Sequence, residues 1–174
     1  MSKFKIILLS LILTGCAQTY DPTQPLKDNT GLVITKFKMS GSASSAQFLT
    51  KNTNKALDNY SFVVKGDEKL FVFPMTAGTH SIDKVMYMQG MDFVDPDLNC
   101  LGTFVIQPGA ANYIGDIYFD VDGPNEYIIF STHKSSILVK DEHSKTHKEF
   151  TMQYPQVAKE LPKEKSIIGP AVCN

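Results

Sequence analysis

His143 and His147 stand four residues apart, a spacing that puts two imidazoles on one face of a helix and suits a zinc ion. Ser144 follows His143, so the metalloprotease pattern H-E-x-x-H is missing. With no third ligand evident, the pair reads as a solvated helix face. Asp92, Asp95, Asp97 and Asn99 crowd the approach to Cys100 and carry the hard oxygen donors that calcium takes. Phe93, Pro96 and Leu98 interrupt them and the EF-hand spacing is absent, so a capped loop is the better reading. Asp120-Val121-Asp122-Gly123 is ordinary chemistry for a turn. Ser42, Ser44 and Ser45 sit in a small polar stretch with no G-x-S-x-G elbow, and nothing places a nucleophile beside His80 or His133. No P-loop or dinucleotide fingerprint occurs. These residues predict no catalytic set, no metal site and no cofactor.

Three cysteines remain to be placed: Cys16, Cys100 and Cys173. Cys16 ends a leader. Lys3 and Lys5 form a positive start, residues 6–13 are an apolar run, and Leu13-Thr14-Gly15-Cys16 closes it. A bilayer-spanning helix needs about 20 apolar residues, so the run is too short for a permanent anchor and has the length of a signal-peptide core. The motif resembles the lipobox of bacterial lipoproteins. The resemblance implies that residues 1–15 are removed as a signal peptide and that the Cys16 thiol carries a diacylglyceryl group. It also implies that the new amine is acylated with a fatty acid such as palmitate. Two or three chains anchor stably where one does not, since each buried methylene contributes about 0.8 kcal/mol. Ala17, rather than aspartate, follows the cysteine, which in such lipoproteins points to the outer membrane, facing the periplasm.

An exported chain meets an oxidising compartment, so Cys100 and Cys173 are expected to form a disulfide. The loop it closes is long, worth about 4 kcal/mol on the chain-entropy estimate, and it would pin a tail that otherwise frays. Two free thiols, or a metal site using Cys173, are the alternatives. Residues 16–30 are polar with Pro22 and Pro25 and read as a lipidated flexible tether. Residues 31–174 are then the folded domain.

The elements behind these residues read mainly as strands. Residues 32–39 alternate, with Val33, Phe37 and Met39 on one face and Lys36 and Lys38 on the other. Residues 40–45 read as a loop. Further strands are predicted at 60–64, at 69–73 ending on Pro74, and at 80–89. Residues 102–107 and 112–119 form a hairpin around a Pro108-Gly109 type II turn, with Tyr113, Ile117 and Phe119 sharing a face. Strands at 126–131 and 137–139 follow. Tyr60, Tyr87, Tyr113, Tyr118 and Tyr127 fall on these strands and are read as core rather than as a sugar platform. The same holds for Met75, Met86, Met88 and Met91. A short helix is predicted from Asp141, as N-cap, to before Pro155, and residues 159–165 read as an exposed tail.

Turn signals every eight to twelve residues predict a mainly β fold, an antiparallel sandwich with one short C-terminal helix. The run Phe71-Val72-Phe73-Pro74, Ala77-Gly78-Thr79, Phe104-Val105-Ile106, Pro108-Gly109 and Tyr113-Ile114-Gly115-Asp116-Ile117 resembles small bacterial lipoproteins with immunoglobulin-like or transthyretin-like sandwiches. It implies a fold more than a function. The net charge of −1 falls by two when a leader bearing Lys3 and Lys5 is removed, and the chain has no arginine. Neither fits a nucleic-acid partner. The expectation is a membrane-anchored, non-enzymatic envelope lipoprotein that binds a protein partner or serves an assembly. The alternative is an envelope ligand-binder or inhibitor recognising a glycan, a metal or a foreign hydrolase.

Overall fold

The computed structural model of the protein describes residues 20–43, 45–66, 68–89, 92–94, 101–122, 125–126, 131–132, 135–169 and 172–173. At 56–57, 88–89, 92–94, 125–126, 131–132 and 172–173 it describes the backbone alone. In chain order the first strands are β1 Thr30–Gly41, β2 Ser45–Asn52, β3 Lys55–Val64, β4 Lys69–Thr76, β5 Gly78–Gln89, β6 Asp92–Val94 and β7 Thr103–Ile106. Then come β8 Ala111–Tyr113, β9 Asp116–Val121, β10 Asn125–Glu126, β11 Ser131–Thr132 and β12 Ser135–Lys140. Helices α1 His143–Gln153 and α2 Pro155–Glu160 follow, with β13 Lys163–Lys165 and β14 Val172–Cys173 last.

The described strands make two main sheets, mostly antiparallel, and a small β10–β11 ribbon. The first sheet runs β13-β8-β1-β9-β12-β14, with β4 on the other side of β1; the second runs β3-β2-β5, and β5 also pairs with β6 and β7. The first sheet corrects the expectation of purely antiparallel pairing, because β1 lies parallel to β8 and β9, and β13 parallel to β8.

Alternation along β1 explains the layers. Val33, Phe37 and Met39 point between the sheets, as their spacing predicts. There Phe37 packs 4.9 Å from Phe48 and 5.0 Å from Phe62, ring centre to ring centre. The opposite face of β1 is not solvated. Leu32 and Ile34 are buried with Val72 beneath Phe150, Val157 and Ala158 of the two helices. The molecule therefore has three layers, sheet, sheet and helix, with an apolar core on each side of β1. Lys36, predicted to face solvent, is buried under α1 and ion-paired there.

Three local expectations are overturned, each for a physical reason. The Pro108-Gly109 turn exists, with Gly109 at φ 66°, but it joins no hairpin. It carries the chain from β7 in the second sheet to β8 in the first. The fully buried Asn112 holds that crossing: its Oδ1 accepts from Gln107 N–H at 2.8 Å, and its Nδ2 donates to the Gln107, Ala110 and Leu32 carbonyls. Pro74 does not end its strand. Val72, two residues earlier, turns its carbonyl away from β1 to accept from Tyr20 N–H at 2.9 Å, so Pro74 too presents its backbone nitrogen to the free edge. A missing N–H costs nothing there. Tyr113 does not share a face with Ile117 and Phe119. Ile34 lies beside Tyr113 and Phe37 beside Ile117, so three steps along β1 match four along its partner. The extra residue is accommodated at Gly115, φ 102°, which flips the pleat.

The helix begins at His143 rather than at an Asp141 cap, and the Glu142 N-cap makes no side-chain cap hydrogen bond. It stops before Pro155 as predicted, but Pro155 then opens α2 as its first residue. The tail beyond is exposed yet structured. Pro162 O accepts from Ala111 N–H, and Ser166 and Ile168 N–H donate to Tyr113 and Ile114.

Candidate functional site

A groove lies along the free edge of β4. Its outer wall is the arm of residues 20–27, part of the segment expected to be a free tether. The arm is seated on the domain. Tyr20 N–H donates to Val72, the Tyr20 ring lies 6.2 Å from that of Tyr154, and Leu26 packs onto the helix-side core. Asp21 closes a tight turn by accepting from Thr23 N–H at 2.9 Å and from the Thr23 hydroxyl at 2.7 Å, bonds that hold its carboxyl below the usual carboxylate range. A second turn at Lys27 bonds Thr30, and the Asn29 carbonyl accepts from Ala77 N–H at 2.8 Å.

The inner wall is Tyr60, Pro74 and Thr76, and the groove holds about 400 Å³. A polar cluster stiffens it. The Tyr60 hydroxyl accepts from Thr76 N–H at 2.9 Å, the Thr76 hydroxyl donates to Asp58, and His80 Nε2–H donates to the Thr76 carbonyl at 2.9 Å. His80 is fully buried and stacks 5.7 Å from Phe104; burial lowers its pKa, so it is a neutral ring. Its Nδ1 has no hydrogen-bond partner. Thus His80 and Tyr60 tie the edge of the first sheet to the second. Two half-buried tyrosines, two prolines and a leucine, with Asp21 and Lys27 among the lining residues, equip the groove to hold a ligand.

A second polar assembly lies between the first sheet and α1. Lys36 Nζ donates to Glu68 at 2.6 Å and lies 2.8 Å from Glu149; Lys145 bridges Glu68 and Glu142. The paired carboxylates keep Lys36 charged far above the usual lysine range, against its burial, and Lys36 in turn lowers Glu68. Next to it Asp116, almost wholly buried, accepts from the Thr146 hydroxyl at 2.7 and 3.0 Å. Burial pushes its carboxyl up. The Tyr113 hydroxyl accepts from Glu142 N–H at 2.9 Å and donates to Lys140 O at 3.2 Å. These groups fasten the helix layer, and Glu142 and Lys145 also line an open, polar pocket of about 350 Å³ with Asp141, His143, Ser144 and Lys165.

Of the residues singled out in the sequence, His143 and His147 do share a face of α1, with ring centres 5.6 Å apart. His143 packs edge-on against Tyr113, and burial lowers His147, whose Nε2 is enclosed without a partner. Among the described residues no group of three His, Cys, Asp or Glu could hold a metal ion. Asp120 accepts from the Ser40 hydroxyl across two strands. Tyr87 and Tyr113 are buried, Tyr60 and Tyr118 half-buried; Met75 is core and Met86 half-buried. Cys16, Cys100, Ser44, Met91, Asp95, Asp97, Asn99, Tyr127 and His133 lie outside the described residues. Of Cys173 the backbone alone is described, paired beside Ile137. The groove was not foreseen, because its arm reads as a Pro-rich linker; the one available signal was Tyr20 and Leu26 bracketing the prolines. No described helix is long and apolar enough to cross a membrane.

No family model, no curated protein and no solved structure matches the chain.

Proposed function

We propose that the chain is a lipid-anchored lipoprotein of the bacterial envelope, held through Cys16 at the outer membrane facing the periplasm. Its sandwich domain serves as a non-enzymatic protein-binding or assembly module. The observation that carries this reading is the leader itself: Lys3 and Lys5, a short apolar run, then Leu13-Thr14-Gly15-Cys16. The packed two-sheet body suits an immunoglobulin-like or transthyretin-like sandwich, with the parallel β1 pairings and the helix layer as additions to it. The chemistry of the groove supports binding, since Tyr60, Thr76 and His80 are committed to holding strands together. Labelling cells with radioactive palmitate tests the anchor. Parent protein takes up label and Cys16→Ser does not; an unlabelled parent, or a mature chain that still begins at Met1, overturns the proposal. Crosslinking in intact cells should then recover one stoichiometric envelope partner.

A second reading, a ligand-binder or inhibitor, is favoured by the groove of about 400 Å³ beside the arm. A partner or ligand that protects the arm from proteolysis would support it. Protection confined to the opposite sheet would count against it.

A further inference from the structure

We propose that the end of the domain carrying Tyr20, Tyr154 and Met152 lies against the headgroups of a phospholipid bilayer, with the outer face of the second sheet turned away. The inference rests on the lipid at Cys16 and adds an orientation to it. Ala17, Gln18 and Thr19 alone separate that cysteine from Tyr20. Four residue steps span at most about 14 Å even when fully extended. A domain of this size has a radius of gyration of about 15 Å and a width more than twice that. Tyr20 is not free to pay out more chain, because its N–H is bonded to Val72 at 2.9 Å and its ring packs against Tyr154. The Asp21 turn follows at once. The anchor therefore holds one end of the molecule at the membrane instead of letting the module stand off.

The side chains at that end suit the headgroup region. Tyrosine is at home there, with an apolar ring and a polar tip. Met152, two residues before Tyr154, is 67% exposed, one of two large apolar side chains so exposed among the described residues; the other is Val105 at 39%. Val105 belongs to β7, whose Phe104 and Ile106 point into the inter-sheet core, so it marks the far face of the second sheet. Charge near Tyr20 is mixed, with Lys27 in the same groove and Asp21 and Glu160 close by. The contact is thus set by tether length and ring chemistry, and salt should leave it unchanged.

The chain contains no tryptophan, so single-tryptophan variants report position without background. Met152→Trp and Val105→Trp, both at exposed sites, are made in the full, natively acylated protein. Each is bound to vesicles of phosphatidylethanolamine and phosphatidylglycerol doped with a headgroup-nitroxide lipid. The seated orientation gives severalfold stronger quenching for Met152→Trp than for Val105→Trp, at low and high salt alike. Inserting a flexible Gly-Ser linker of about twenty residues after Thr19 brings the two together. Equal quenching in the parent, stronger quenching for Val105→Trp, or a difference untouched by the linker overturns the orientation while leaving the anchor standing. If neither variant floats with the vesicles, the anchor itself falls.

Discussion

Replacing Lys36 by methionine tests how the helix layer is held. The ammonium sits between Glu68 at 2.6 Å and Glu149 at 2.8 Å, with its side chain 7% exposed and the two carboxylates 28% and 30% exposed. Breaking a fully buried ion pair costs about 3–5 kcal/mol, because a charge is stranded. Losing an exposed pair costs about 0–1 kcal/mol. Here the stranded groups are the carboxylates, which rehydrate where they stand, and methionine keeps most of the apolar stem. The loss should therefore fall near 2 kcal/mol, or about 4–8 °C in Tm for a chain of this length. Urea denaturation followed by circular dichroism measures it, and a cycle with Glu68→Gln and Glu149→Gln isolates the pair terms. The sign with pH is fixed by the two shifts. Lys36 is raised, so its contribution is complete below the ordinary lysine pKa and fades as alkali passes its folded value. Glu68 is lowered, so its share is complete above the ordinary glutamate pKa and fades as acid passes its folded value. The penalty of Lys36→Met should thus be widest from neutral pH to about 10 and shrink on both sides. A neutral or stabilising substitution would show that desolvation of Lys36 outweighs its two partners and refute the argument.

Phe150 is fully buried in the helix-side core, so Phe150→Ala should cost about 3–5 kcal/mol, read by the urea midpoint. An effect under about 1 kcal/mol would mean that the helices contribute little to the fold. Asp116→Asn addresses the buried carboxyl. Its folded pKa is raised, so the native state gains stability as pH falls from neutral through that value, and the asparagine variant should lose this acid-side gain in a pH series of melts. Gly115→Ala meets both a φ of 102° and a Cβ placed 2.6 Å from Val139 Cγ1. It should destabilise by about 1–3 kcal/mol, and a silent variant would deny the pleat reversal its strain. Tyr60→Phe removes the acceptor of Thr76 N–H and should cost about 1–3 kcal/mol while leaving the groove's apolar wall intact, measurable by the same melts.

What the sequence made legible was local. The alternation of β1, the reach of β5, the stop of α1 at Pro155 and the turn at Pro108-Gly109 each depend on a few neighbouring residues. β2 escaped because its inward positions are Ala46, Phe48, Thr50 and Asn52, so half of the buried face is polar and the period of two is hidden. Asn52 is tolerated inside since its Oδ1 accepts from Asn54 N–H at 2.9 Å. Lys36 misled for the converse reason: a charge normally marks solvent, and only the distant Glu68 and Glu149 make its burial affordable. No local rule could announce that β7 and β8 belong to different sheets, because the turn between them satisfies hairpin chemistry equally well. The groove was hidden likewise, since an arm rich in proline and polar residues looks the same whether seated or free.

The parallel pairings explain why the helices and the tail exist at all. A purely antiparallel sheet of this kind can leave one face to water, but β1 carries Leu32 and Ile34 on its outer side and must be covered. The chain supplies that cover after β12, where α1 lays Phe150 over them, and must then return. The return path is β13 and the residues beyond it, which run parallel to β8 and reach across to the other sheet: Ser166 Oγ accepts from Val105 N–H at 2.8 Å, and Ile168 enters the inter-sheet core. One segment thereby bonds the first sheet by its backbone and the second by a side chain. The N-terminal arm does the equivalent along β4, where Tyr20 occupies the edge that Pro74 leaves without a donor. The arm that begins at Tyr20 and the segment from β13 to Ile168 thus both lie along the first sheet, and an anchor attached ahead of Tyr20 would pull on a strand edge rather than on a loose linker. Lengthening the chain ahead of Tyr20 should accordingly leave the melting temperature unchanged, whereas deleting Tyr20 and its turn should lower it.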